Sequence, residues 1–76
     1  MNRYSKYVNA DELKKARKNK KMTCEDVSKE MGFKSPVSYY NIEEGIVEPK
    51  ISQMIKISKI LGKSPEKFFN FKLQEN

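Results

Sequence analysis

The sequence predicts a small all-α domain, and three observations predict it. The three glycines, Gly32, Gly45 and Gly62, each stand where an apolar helical run ends, the position at which a left-handed residue closes a helix. Pro36 and Pro65 each follow a serine at the head of such a run, the cap-plus-proline signature of a helix start. Between those marks, apolar residues recur at helical spacing. Seventy-six residues suffice for one domain with a small core. The expected layout is an irregular arm over 1–10, a domain over 11–70 and a tail over 71–76.

Residues 1–10, MNRYSKYVNA, show no steady period. They read as a tail ordered only where Tyr4, Tyr7 or Val8 packs on the body. The competing reading is a basic arm, with Arg3 and Lys6, laid along phosphates or in a minor groove. Asn9 through Glu12 fit a helix cap, so the first helix should run from about Asp11 to Lys20, with Leu13 and Ala16 inward and Met22 covering its exit. A second helix should start after Thr23, capped by its hydroxyl with Asp26 in the place of the usual glutamate. Val27 and Met31 fall on its buried face, and small Ser28 permits close approach.

The third helix is expected from Pro36 to Glu44, with Phe33 plugging the turn before it. On a wheel of about 100° per residue, Tyr39, Ile42 and Glu43 share one side and Val37, Tyr40, Asn41 and Glu44 the other. Glu43 on the packed side requires a cationic partner, because a lone buried carboxylate is unfavourable. ISQMIKISKILG gives a fourth helix, Ile51 to Leu61, with an apolar stripe at 51, 54, 55, 57, 60 and 61 that marks it as the central packing element. Ser64-Pro65-Glu66 opens a short fifth helix that buries Phe68 and Phe69.

Charge narrows the function. Sixteen Lys and Arg against ten Asp and Glu give +6, which favours polyanionic partners, and no acid interrupts the stretch from Leu13 to Cys24. One cysteine and no histidine offer neither an internal disulfide nor a zinc ligand set, and a reducing, cytoplasmic setting fits. No apolar run is long enough to span a membrane, and the first ten residues lack a signal peptide's apolar segment. An enzyme is not expected: the commonest general base is missing, Cys24 has no imidazole to activate it, and Glu43 and Glu44 point apart on their helix. No cofactor is implied.

Two short helices joined by a glycine turn, over Thr23 to Gly45, form the layout of a helix-turn-helix, whose second helix enters the DNA major groove. With the neighbouring helices in place, the chain resembles the Cro/phage-repressor-type helix-turn-helix family, also called the xenobiotic-response-element family. The residues that carry the likeness are Leu13…Arg17, Met22-Thr23, Val27-Ser28…Met31-Gly32, Tyr39…Ile42-Glu43…Gly45…Pro49, and Ile51…Met54…Ser58…Leu61-Gly62…Ser64…Phe68. The resemblance implies a compact five-helix lambda-repressor-like bundle and a transcriptional regulator that binds double-stranded DNA.

It also implies roles by position. Arg17 should pair with Glu43 as a structural ion pair tying the first helix to the third. Thr23 and Cys24 match the start of the helix whose side chains and N–H groups touch the DNA backbone. Val37, Tyr40 and Asn41 match base-reading positions, and Asn41 is the clearest reader, since its amide can bond adenine N6 and N7 together. Lys20, Lys21, Lys34 and Ser35 are the remaining phosphate candidates, with Lys14, Lys15 and Lys18 adding to the positive field.

The chain departs from the family pattern in three places. One extra residue, assigned to Lys34, lies between Gly32 and Tyr39. Lys50 replaces the usual serine cap of the fourth helix. Glu44-Gly45-Ile46-Val47-Glu48 replaces a basic loop, leaving Ile46 and Val47 as a small apolar patch for a protein partner. Two functions follow. One is a repressor of bacterial, phage or mobile-element type, a homodimer on an inverted repeat with half-sites ~34 Å apart. The other is an antirepressor- or antitoxin-like protein-binding module on the same fold.

Overall fold

The computed structural model describes residues 7–70. Five helices follow in order: α1 (Ala10–Asn19), α2 (Cys24–Met31), α3 (Ser38–Glu43), α4 (Ile51–Leu61) and α5 (Pro65–Phe68). Asn9 caps α1, its side chain accepting the Glu12 N–H at 3.3 Å. Thr23 caps α2 in a reciprocal capping box: its hydroxyl accepts the Asp26 N–H at 3.0 Å, and the Asp26 carboxylate accepts the Thr23 N–H at 2.8 Å. Gly32 and Gly62 close α2 and α4 in the left-handed conformation. At Lys50 the lysine side chain contributes nothing to the cap, and Gln53 accepts the Lys50 N–H at 2.8 Å instead.

The core gathers Leu13 and Ala16 of α1, Val27 and Met31 of α2, Tyr39 and Ile42 of α3, Ile57 and Leu61 of α4, and Phe68 with Phe69 at the end of α5. Phe68 and Phe69 meet edge to face with ring centres 6.2 Å apart. α2 packs against both α3 and α4, while α1 spans α3, α4 and α5. The chain thus forms an all-α bundle with α2 and α3 as its helix-turn-helix pair.

Two expectations are corrected, the start of α3 and the burial of α4. α3 starts at Ser38, two residues after Pro36: the Ser35 hydroxyl accepts the Val37 N–H at 3.3 Å and its carbonyl accepts the Ser38 N–H at 3.2 Å, so Ser35-Pro36 builds a turn and caps no helix. The apolar stripe of α4 is only partly buried. Ile57 and Leu61 face the core, whereas Ile51 and Ile55 are exposed. α1 needs no glycine to stop: Lys21 takes φ +59, and the Met22 N–H reaches back to the Arg17 carbonyl at 3.1 Å.

The segment before α1 packs on the body at Val8, the place expected for it. Ala10 already belongs to α1, and Val8 pairs in antiparallel fashion with Phe69. Asn9 N–H donates to the Phe68 carbonyl at 2.7 Å and Asn70 N–H to the Tyr7 carbonyl at 2.8 Å, which pins the segment before α1 against the end of α5. The expectations for Arg3, Tyr4 and Lys6, and for the tail over 71–76, lie outside the described residues.

Candidate nucleic-acid interface

The frame that orients α3 is a buried ion pair. Arg17 donates from Nε to Glu43 Oε1 at 2.9 Å and from Nη2 to Oε2 at 3.1 Å, and its Nη1 donates to the Met22 carbonyl at 3.0 Å. One guanidinium thus ties α1, the α1–α2 turn and the inner face of α3 together, in the forked geometry that suits a carboxylate. Glu43 has the partner its buried position demands, and the Arg17 pKa rises chiefly through that hydrogen bond.

Cys24 belongs to the same cluster. Its thiol points inward, 3.7 Å from Glu43 Oε1, and burial followed by the Glu43 charge pushes its pKa up. The side chain is therefore turned away from a phosphate, and its position is the reverse of a low-pKa reactive thiol's. What Cys24 can offer outward is its backbone N–H, in the first turn of α2 where the helix ladder leaves N–H groups unused.

The opposite side of α3 is open. Val37 is 54% and Tyr40 45% exposed. Asn41 is half-buried and lines a shallow groove with Phe33, Ser38, Ile42, Val47 and Gln53. Lys34 is exposed and Ser35 half-buried on the turn leading into the helix, and Thr23 is exposed at the head of α2. The expected readers therefore share one accessible side, flanked by the turn residues.

Two of the expected basic residues do not gather with that strip. Lys14 turns to Glu44, with Nζ 3.5 Å from Oε2, so the pair offsets its own charges at the α1–α3 contact. Lys20 lies over Gly62: a Cβ placed there would sit 3.3 Å from the lysine Cε. That is the C-terminal end of α4, where unpaired carbonyls favour a cation. It is ~16 Å along α4 from the end beside the α3–α4 loop. Lys21 is exposed.

Ser28, expected only to permit close approach, also bonds across to the head of α3. Its hydroxyl donates to the Pro36 carbonyl at 3.1 Å and accepts the Tyr39 N–H at 3.0 Å. α3 has no cap of its own, because Val37 at its head offers no side-chain acceptor, and the preceding helix supplies one. The available signal was a hydroxyl on a buried face, which has to find a partner.

A sequence pattern described as Helix-turn-helix (HTH_3) matches residues 13–68, from the first core leucine of α1 to the last residue of α5. The chain belongs to that Cro/C1-type helix-turn-helix family. It is a DNA-binding helix-turn-helix regulator domain. No curated protein gives a significant match to it. Among the described residues of this helix-turn-helix domain, no helix is long and apolar enough to cross a membrane.

Proposed function

We propose that this helix-turn-helix protein is a sequence-specific transcriptional repressor of bacterial or phage type, working in the cytoplasm by occluding a promoter. α3 lies in the major groove of double-stranded DNA, with Val37, Tyr40 and Asn41 against base edges. Asn41 bonds an adenine, Val37 meets a thymine methyl, and Tyr40 reaches either a base or a phosphate. Thr23, the backbone N–H of Cys24, Lys21, Lys34 and Ser35 hold the phosphates on either side. Lys20 is left out of that set because of its place at the end of α4. The protein acts as a homodimer on an inverted repeat.

The observation that supports this reading best is the division of α3 into two sides. Arg17–Glu43 and Ser28 lock one side into the body, and an amide, a phenol and an aliphatic side chain remain on the other. Selection of bound sites from random duplex DNA tests it. Enrichment of an inverted repeat with half-site centres ~34 Å apart is expected. No enrichment at low salt, together with capture of a different protein in stoichiometric amount, would overturn it in favour of the antirepressor- or antitoxin-like module.

A further inference from the structure

The groove beside Asn41, lined also by Phe33, Ser38, Ile42, Val47 and Gln53, has a volume of about 210 Å³ and lies between α3 and the head of α4. Its lining mixes two chemistries. Ile42 and Val47 are aliphatic, whereas Asn41 and Gln53 bring amides. The Gln53 Oε1 accepts the Lys50 N–H at 2.8 Å, which leaves the amide nitrogen as a donor. The Asn41 carbonyl accepts the N–H groups of Ile46 and Val47, at 2.9 and 3.1 Å. Those bonds hold the loop against the reading helix, and the Val47 side chain stays 47% exposed beside it.

We infer that this groove is a second reading site on the DNA and takes the major-groove edge of a thymine. Among the four bases only thymine presents an apolar group there, its C5-methyl, and next to it stands the acceptor O4. An aliphatic side chain beside an amide donor is the complement of that edge. Cytosine places an amino donor where thymine has O4, so it would face the Gln53 nitrogen with no acceptor between them. Purines bring no methyl group. A cavity of about 150 Å³ accepts one benzene-sized ring, so the groove has room for a pyrimidine edge. Val47 meets the methyl group and the Gln53 nitrogen donates to O4. Because Asn41 lines the same groove, this thymine falls in the base pair that Asn41 reads or in the next one.

The loop gains a role from this. Glu44-Gly45-Ile46-Val47-Glu48 stands where a basic loop would hold phosphates. Glu44 is occupied by Lys14, 3.5 Å away, and Val47 supplies an apolar contact to a base in place of a charged contact to the backbone. The inference deepens the proposed function and rests on its placement of α3 in the major groove.

Fluorescence anisotropy with the full chain tests it, on the best duplex from the site selection with each dT replaced in turn by dU, which removes the methyl group alone. One replacement at or beside the adenine is expected to weaken binding about fourfold, the effect of one buried methyl group. Val47→Ala should lose most of that difference between dT and dU, while Val37→Ala keeps it. Val47 is exposed, so circular dichroism should show an unchanged helical fold for its variant. A bound site at which every dU duplex binds like its dT parent sinks the inference alone. A methyl effect that survives unchanged in Val47→Ala does the same, and the dU series on the native chain stands whether or not that variant folds. Failure of every duplex to bind at low salt overturns the proposed function, and this inference with it.

Discussion

The Ser28 hydroxyl holds the backbone N–H of Tyr39 at 3.0 Å, so the helix that carries the candidate readers takes its cap from the helix before it. Both residues are buried, and no water can replace the bond at low cost. Ser28→Ala leaves the Tyr39 N–H and the Pro36 carbonyl without this partner. The expected loss is ~1–3 kcal/mol of unfolding free energy at unchanged denaturant slope. Urea titration followed by circular dichroism measures it. A change under half a kilocalorie would show that α3 needs no such cap.

Arg17 and Glu43 should behave as a unit. Arg17→Met leaves a buried carboxylate uncompensated and is expected to destabilise the fold by ~3–5 kcal/mol, while Arg17→Met with Glu43→Leu recovers most of that loss. The same denaturation series read as a double-mutant cycle gives the coupling. Additive losses would mean the two side chains do not depend on one another.

Tyr39 is fully buried, and among the described residues no group lies within ordinary hydrogen-bond geometry of its hydroxyl. Burial first, and the Glu43 charge second, raise its pKa well above the ordinary phenol value of 10. The neutral phenol is therefore the folded form: its contribution is fully present below pH 10 and is lost as pH rises from there toward the raised value. Cys24, also raised from 9.0, adds a loss of the same sign from about pH 9. Tyr39→Phe should be neutral or stabilising near pH 7 and should flatten the alkaline limb of a melting-temperature profile. A profile that is unchanged above pH 10 would remove Tyr39 as the cause.

Asp26 contributes on the acid side. The Thr23 backbone N–H, then its hydroxyl, hold the Asp26 carboxyl below its ordinary 3.8. Its contribution is present above that ordinary value and is lost as pH falls through the depressed one. Asp26→Asn should blunt the acid limb while leaving the alkaline limb alone, as thermal melts across the range would show.

On DNA, Asn41→Ala should weaken a selected site by roughly 1–3 kcal/mol and random duplex far less. Equal losses on both would leave Asn41 without a reading role. If about four phosphates are neutralised, the plot of log K against log salt should have a slope near −4. A slope near zero in a binding titration would remove the phosphate contacts of Lys21 and Lys34 from the account.

How far the sequence could be read depended on whether a residue's partner was local. Asn9, Thr23, Gly32, Gly62 and Pro65 act within a turn or so of where they stand, so four helices fell close to their expected bounds. Ser35-Pro36 failed because the same two residues suit a turn as well as a cap, and only the hydrogen bonds of Ser35 tell them apart. The wheel separated Tyr39, Ile42 and Glu43 from Val37 and Tyr40 because helical periodicity already encodes which side is inside.

The chain by itself determined its helices, the two sides of α3 and the need for a cation beside Glu43, since composition and spacing carry those directly. Only the folded arrangement decided that Lys14 would be taken up by Glu44, that Lys20 would reach the end of α4, that Cys24 would face inward, and that Ile51 and Ile55 would remain in solvent. Each of those outcomes depends on which surface of another helix comes within a few ångströms. That distance is fixed when the bundle closes and is written in no short stretch of residues.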